Sequence, residues 1–127
     1  MEDINKVFKY GDFEGILDVT DYVVVERFEK AFNACSKVLR SARQINSESQ
    51  TYKKIVLTIA KVFEDTFDDE NASNKILGSS TSAAEAIKAL YELVDYVQGQ
   101  RESVAKHWNQ MMNKYSPSKR KPDDTLN

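Results

Sequence analysis

The sequence predicts a mainly helical α+β fold, in which a short N-terminal β-hairpin precedes a bundle of about three main helices. Two observations favour helices. Apolar residues recur three and four positions apart over long stretches, and 127 residues include only four Gly and two Pro. A third observation predicts the hairpin, because aromatic and branched residues flank a Gly-Asp pair near the N-terminus. Since a chain of this length can bury one core, we expect a single domain over residues 1–115.

The expected hairpin covers residues 4–17 and turns at Gly11 and Asp12. A two-stranded hairpin is only marginally stable alone in water. We therefore expect it to pack on the helices or to pair with a strand of another copy. The side chains expected at such an oligomer edge are Val7, Phe8, Tyr10 and Phe13.

Two helices should follow, over residues 21–44 and 49–67, because each segment carries an apolar face in steps of four and three residues. Thr20 or Asp18 is the expected N-cap of the first helix. The second helix should begin at the capping box Ser47-Glu48-Ser49-Gln50.

The longest expected helix covers residues 83–115, after a stop at Gly78 and a Ser82-Ala83-Ala84-Glu85 capping box. Its apolar stripe consists of Ile87, Leu90, Val94, Val97, Arg101, Val104, Trp108, Met111 and Tyr115. At 1.5 Å per residue such a helix would be about 50 Å long, which exceeds the width of a domain of this size. We therefore expect its end to lie beyond the core, and Gly99 marks a point where the helix could bend.

The end of this stripe has two interpretations. We favour a partner-binding surface, because Met adapts to varied partners and aromatic residues supply large contact energies. That surface consists of Val104, Trp108, Met111, Met112 and Tyr115. The alternative is that the stripe folds back into the core, against Phe28, Phe32, Phe63 and Phe67, and this alternative is strongest for Val104 and Trp108.

Charge is unevenly distributed along the chain, although its formal sum is only -2. Residues 101–122 hold six Lys and Arg against one acidic residue, and residues 116–127 are expected to form a disordered basic tail. Basic residues that could contact nucleic acid are Lys114, Lys119, Arg120 and Lys121. Nucleic acid is nevertheless a disfavoured partner, because the first hundred residues are net acidic and contain no identifiable reading motif.

The sequence offers little for catalysis. His107 has no acidic residue three or four positions away to orient it as a base, and Cys35 lies on an apolar helix face, which predicts a buried side chain. The acidic run over residues 64–70 lacks the spacing of an EF-hand loop, so we interpret it as a solvated helix end. We expect no enzyme, no cofactor and no metal site. The sequence contains no signal peptide and no long apolar run, and we expect a cytoplasmic protein.

Three stretches of the chain carry a family resemblance. The first is Leu17–Asp21, which leads into a helix with Glu26, Phe28 and Glu29. The second combines Val62–Asp69, Asn74–Gly78 and the helix that contains Ala89, Leu90, Glu92, Leu93 and Val94. The third is Asn113–Arg120. In these stretches the chain resembles the small tail-assembly chaperones of long-tailed bacteriophages and prophages.

The resemblance implies a non-catalytic factor in the host bacterial cytoplasm. Such a factor would coat the tape-measure protein, help to recruit tail-tube subunits and form homo-oligomers. Two other interpretations remain open: a helical adaptor or inhibitor protein, and a nucleic-acid-binding factor that uses the basic C-terminal end.

Overall fold

The computed structural model describes residues 4–42 and 46–115. Its elements are β1 (Val7–Tyr10), β2 (Phe13–Ile16), α1 (Tyr22–Ala42), α2 (Glu48–Phe67), α3 (Ala72–Leu77) and α4 (Ala83–Tyr115). The predicted fold class is confirmed: the protein is mainly helical, with an N-terminal antiparallel hairpin and a long C-terminal helix. The expected tail at 116–127 and the expected end of the first helix at 43–44 lie outside the described residues.

The hairpin turns at Gly11 and Asp12, with Tyr10 paired to Phe13 across the turn. Gly11 has a φ of +58°, a backbone conformation that favours glycine. Gly15 serves a different purpose, because a Cβ there would lie only 2.7 Å from Cδ1 of Phe67 on α2. The absence of a side chain at Gly15 therefore lets the hairpin pack closely against the end of α2.

Aromatic rings fix the hairpin to the helices. Phe8 is the centre of a cluster whose other members are Phe13, Phe63, Phe67 and Tyr96, at centroid distances between 5.5 and 6.5 Å from the Phe8 ring. Tilted, offset and edge-to-face pairs at such distances add to the free energy gained by burial. The cluster therefore joins β1 and β2 to α2 and α4.

The position of Phe8 and Phe13 corrects one expectation. Both side chains are almost fully buried in the core, so they are wrong as exposed members of an oligomer edge. The helices of the same chain already cover their apolar surface. Val7 and Tyr10 are only partly buried, and their place at an edge between copies stays a prediction.

Side-chain caps mark the helix starts. The Gln50 and Glu85 N–H groups donate to Ser47 Oγ at 3.3 Å and Ser82 Oγ at 3.2 Å, which confirms both predicted N-caps. The N-cap prediction for α1 is wrong, because Asp21 accepts the Val23 N–H at 3.0 Å. Local geometry decided this, since the preceding carboxylate is already used in a turn of its own.

That carboxylate belongs to Asp18. It accepts both the hydroxyl and the backbone N–H of Thr20, at 2.6 and 2.9 Å. Lys6 Nζ lies 3.4 Å from its other oxygen. The Thr20 hydroxyl bond, together with the backbone bond and the positive charge of Lys6, lowers the pKa of Asp18 below its ordinary value of 3.8.

The core forms around α2, which packs against α1 on one side and α4 on another. Its largest fully buried side chains include Phe63, Ile59 and Val62 of α2, Leu17 after the hairpin, and Leu93 of α4. Cys35 of α1 is also buried, as predicted, and burial raises the pKa of its thiol. The thiol therefore stays protonated, as a small apolar group of the core.

Candidate partner-binding site

The long helix α4 has two halves with different surroundings. We call residues 83–100 the proximal half and residues 101–115 the distal half. The buried residues of the proximal half are Ala86, Ala89, Leu90, Leu93, Val97 and Gln100. The distal half has no buried residue, and only Val104 and His107 are partly covered. The helix is continuous through Gly99, with no break in its helical structure.

The apolar face of α4 continues from one half into the other. At about 100° per residue, the positions of Val104, Trp108, Met111 and Tyr115 lie within roughly 40° of the direction of Val97, and Met112 lies at roughly 60°. Val97 is buried in the core. The face that packs against the core in the proximal half is therefore the same face that meets solvent in the distal half.

The predicted partner-binding residues are largely exposed. Trp108 is 61% and Tyr115 69% exposed, Met111 and Met112 are also exposed, and Val104 is half-buried. The alternative that Trp108 belongs to the core is therefore wrong. We call Val104, Trp108, Met111, Met112 and Tyr115 the distal stripe. Contiguous apolar surface of this kind is typical of protein interaction sites.

Gln100 marks the boundary between the two halves. Its Oε1 accepts the Val19 N–H at 2.5 Å, and its Nε2 donates to the carbonyl oxygens of Asn5 at 2.6 Å and Leu17 at 3.0 Å. Asn5 precedes β1, whereas Leu17 and Val19 follow β2. A single side chain therefore holds both ends of the hairpin against α4.

Tyr96 reinforces this anchor from one turn earlier in the helix. Its hydroxyl lies 2.8 Å from Gln100 Nε2 and donates to the Asn5 carbonyl oxygen at 3.1 Å. Burial raises the pKa of the Tyr96 phenol, so the hydroxyl keeps its proton and can act as a donor. Together the two side chains end the part of α4 that is fixed to the rest of the fold.

Gln100 is absent from the stripe expected from the sequence, which includes Arg101 in its place. Arg101 is exposed, whereas Gln100 is almost fully buried. The sequence does contain a signal for the burial of Gln100, because this residue lies three positions after Val97 and four before Val104, in the spacing of the apolar face. A polar residue at such a position predicts hydrogen bonds to groups that other helices and strands bring close, and these partners are 81 to 95 residues away in the chain.

The other candidate residues do not converge on a chemical site. Cys35 is buried in α1, and His107 is half-buried on the distal half, with an Nε2 atom that has no hydrogen-bond partner among the described residues. In the described part of the chain, no group of three or more His, Cys, Asp or Glu is placed to hold a metal ion. Glu64 of the acidic run instead accepts the Ser73 hydroxyl at 2.5 Å.

Of the four basic residues considered for nucleic-acid contact, only Lys114 lies within the described residues. Lys114 is exposed, and its Nζ lies 5.3 Å from the centroid of the Tyr115 ring. Lys119, Arg120 and Lys121 lie outside the described residues. Among the helices of residues 4–42 and 46–115, none has the length and apolar character needed to cross a membrane.

Comparison with known proteins identifies a family but no characterised relative. No curated protein and no solved structure matches the chain. Residues 11–123 match the model of a family of unknown function, DUF6673. This match includes β2, all the helices and the distal stripe. Since it covers most of the chain, the protein belongs to the DUF6673 family.

Proposed function

We propose that this protein is a non-catalytic phage tail assembly chaperone, which uses the distal stripe to bind and solubilise the tape-measure protein and helps to recruit tail-tube subunits. The observation that carries the proposal is the apolar face of α4, which continues for about 22 Å beyond the anchored half and is largely exposed there. The class of partner comes from the sequence resemblance.

The chemistry of the distal stripe suits an apolar helical partner. A tape-measure protein is long, helical and apolar, and it would aggregate if left uncovered. Recognition between helices works through apolar side chains spaced three and four residues apart, which is the spacing of Trp108, Met111, Met112 and Tyr115. Exposed Arg101 and Lys106 beside the stripe keep the uncovered face hydrated.

The remaining parts of the proposal follow from this task. Coating a long protein requires many copies, so we expect homo-oligomers. Tail assembly takes place in the host bacterial cytoplasm, which is the proposed location. The task needs no bond to be made or broken and therefore needs no cofactor.

Co-expression with the tape-measure protein of the same phage tests the proposal. The wild-type chain should keep the tape-measure protein in the soluble fraction and co-purify with it. Combining Trp108→Ala, Met111→Ala and Met112→Ala should abolish both effects, because the three substitutions remove most of the exposed apolar surface of the distal stripe. We call this combination the stripe variant.

Tyr91→Ala is the matched control. Tyr91 lies on the same helix and is 64% exposed, but it belongs to the proximal half and not to the distal stripe. It should leave the tape-measure protein soluble. The proposal fails if the stripe variant protects the tape-measure protein as well as the wild type does, or if the wild type does not protect it.

A further inference from the structure

A second apolar surface lies between α1 and α2. It is an open groove of about 410 Å³, and its lining comes from these two helices. Ala31, Ala34 and Val38 of α1 face Leu57 and Val62 of α2 across it. The alanines leave room for another helix to approach, and Leu57 is 59% exposed, so its side chain is available for contact. We call this surface the α1/α2 groove.

The groove opens into an acidic cleft at the C-terminal end of α2. This cleft has a volume of about 920 Å³ and shares Ala31, Ala34, Lys61 and Asp65 with the groove. Five carboxylates line it, from Glu64, Asp65, Asp68, Asp69 and Glu70, against the three cations Arg27, Lys30 and Lys61. The combined surface is therefore apolar in its middle and net negative in the cleft, while Lys54 of α2 lines the groove away from the cleft.

The distal half of α4 has the complementary properties. Its distal stripe is apolar, and its charged residues are Arg101, Lys106 and Lys114 against Glu102 alone. The lengths also agree. Groove and cleft follow α1 from Arg27 to Val38, and the distal stripe extends from Val104 to Tyr115, which is about 17 Å of helix in each case.

A chain cannot fill its own groove with its own distal stripe. The proximal half of α4 is fixed by the buried Leu93 and by the hydrogen bonds of Gln100 to the hairpin. Because α4 is one continuous helix, its distal half must follow the direction of the proximal half. A groove on the α1/α2 pair can therefore receive a distal stripe only from another molecule.

We infer that the distal stripe of one copy docks in the α1/α2 groove of a second copy, with the basic residues at one end of the distal half beside the acidic cleft. The contact joins two different surfaces, so it is heterologous, and each copy keeps one free groove and one free stripe. Assembly therefore continues from copy to copy. The inference goes beyond the proposed function, because it makes self-association and the tape-measure protein compete for the same distal stripe.

Two complementary variants test this arrangement in sedimentation velocity experiments. Leu57→Lys places a charge in the groove but leaves the stripe intact, whereas the stripe variant leaves the groove intact. Wild-type protein should form larger species as its concentration rises, and higher salt should weaken them. Each variant alone should have an affinity for itself that is lower than that of the wild type by roughly tenfold or more. Each should therefore sediment as a monomer at concentrations where the wild type associates. An equal mixture should form a species of two chains, because one intact stripe meets one intact groove.

Several results would overturn the inference. A wild-type chain that stays monomeric over the whole concentration range would do so, as would association that does not weaken with salt. Continued self-association of Leu57→Lys would indicate that stripes pair with stripes. A mixture that stays monomeric, with both variants folded by circular dichroism, would also contradict the pairing. Failure here is distinct from failure of the proposed function, because no tape-measure protein is present.

Discussion

The two halves of α4 share one helix and one apolar face, but only the proximal half is covered. Leu93 has no exposed surface, whereas Trp108, four turns further along, is 61% exposed. Both residues fit the same three- and four-residue spacing. Apolar periodicity therefore defines the face of a helix, while the elements packed beside the helix decide how much of that face is buried.

Helix length explains the difference. α4 has 33 residues, whereas the central helix α2 has 20, so α4 is longer by roughly 20 Å. The hairpin covers α4 as far as Gln100 and adds no hydrogen bond beyond it among the described residues. The distal half is therefore left largely exposed, because its neighbours do not extend along its full length.

The largest contrast is expected from truncating one apolar residue in each half. Leu93→Ala should lower the free energy of unfolding by about 2 to 5 kcal/mol, because it leaves a cavity in a fully packed core. Met112→Ala should change it by less than about 0.5 kcal/mol, because the side chain is exposed. Urea unfolding of both variants measures the difference. Equal losses would show that the distal half is also packed in the folded monomer.

The boundary residue should give the next largest effect. Gln100→Ala should lower the free energy of unfolding by about 1 to 3 kcal/mol, because it leaves the Val19 N–H and the Asn5 and Leu17 carbonyl groups without this partner. Gln98→Ala is the control, since Gln98 is exposed on the same helix. Urea unfolding should separate the two variants. Equal stability would show that the hairpin does not depend on this anchor.

Gly99 tests whether the two halves form one helix. Gly99→Ala should raise the free energy of unfolding by up to about 1 kcal/mol, because the added Cβ meets no atom within 4 Å and Ala favours helix. Gly78→Ala should have the opposite effect, because Gly78 has a φ of +60°. Thermal unfolding of both proteins measures the signs. A loss of stability in Gly99→Ala would contradict a regular, unobstructed helix at this position.

The smallest effect is expected at Asp18, which lies in the chain between Leu17 and Val19, two of the three residues whose backbone Gln100 binds. The folded state lowers the pKa of this carboxyl below 3.8, chiefly through the Thr20 hydroxyl. Its contribution to stability should therefore be present above pH 3.8 and disappear as the pH falls through the lower folded pKa. Asp18→Asn should melt at a lower temperature than wild type at pH 7 and at a similar temperature in strong acid. A difference that persists in acid would contradict this origin.

The sequence was most informative where local chemistry decides the structure. Gly11 and Asp12 predicted the hairpin turn, and Ser47 and Ser82 predicted the starts of α2 and α4. It was less informative where neighbouring groups compete for one role, and where distant elements cover a side chain. Asp21 caps α1 because Asp18 is used by Thr20, and Phe8 and Phe13 are buried because helices from the same chain cover them.

At the candidate partner-binding site, too, the sequence predicted local features but not burial. The spacing of Trp108, Met111 and Tyr115 predicted one apolar face, but the alternatives of core and surface could not be separated from the sequence. The exposure of Trp108 in the folded chain decided that question. The α1/α2 groove gave no signal in the sequence, because its residues come from two helices and none of them is unusual alone.

The helical class, the hairpin turn, two of the helix caps and the apolar face of α4 could all be predicted from the amino-acid sequence. These features depend on residues only a few positions apart, whose hydrogen bonds and side-chain periodicity act within one turn or one helix. The point at which α4 leaves the core could not be predicted in this way, because it depends on the length of α2 and on hydrogen bonds from Gln100 to backbone groups more than 80 residues away. Burial is a property of packed neighbours, and a single helix does not carry that information.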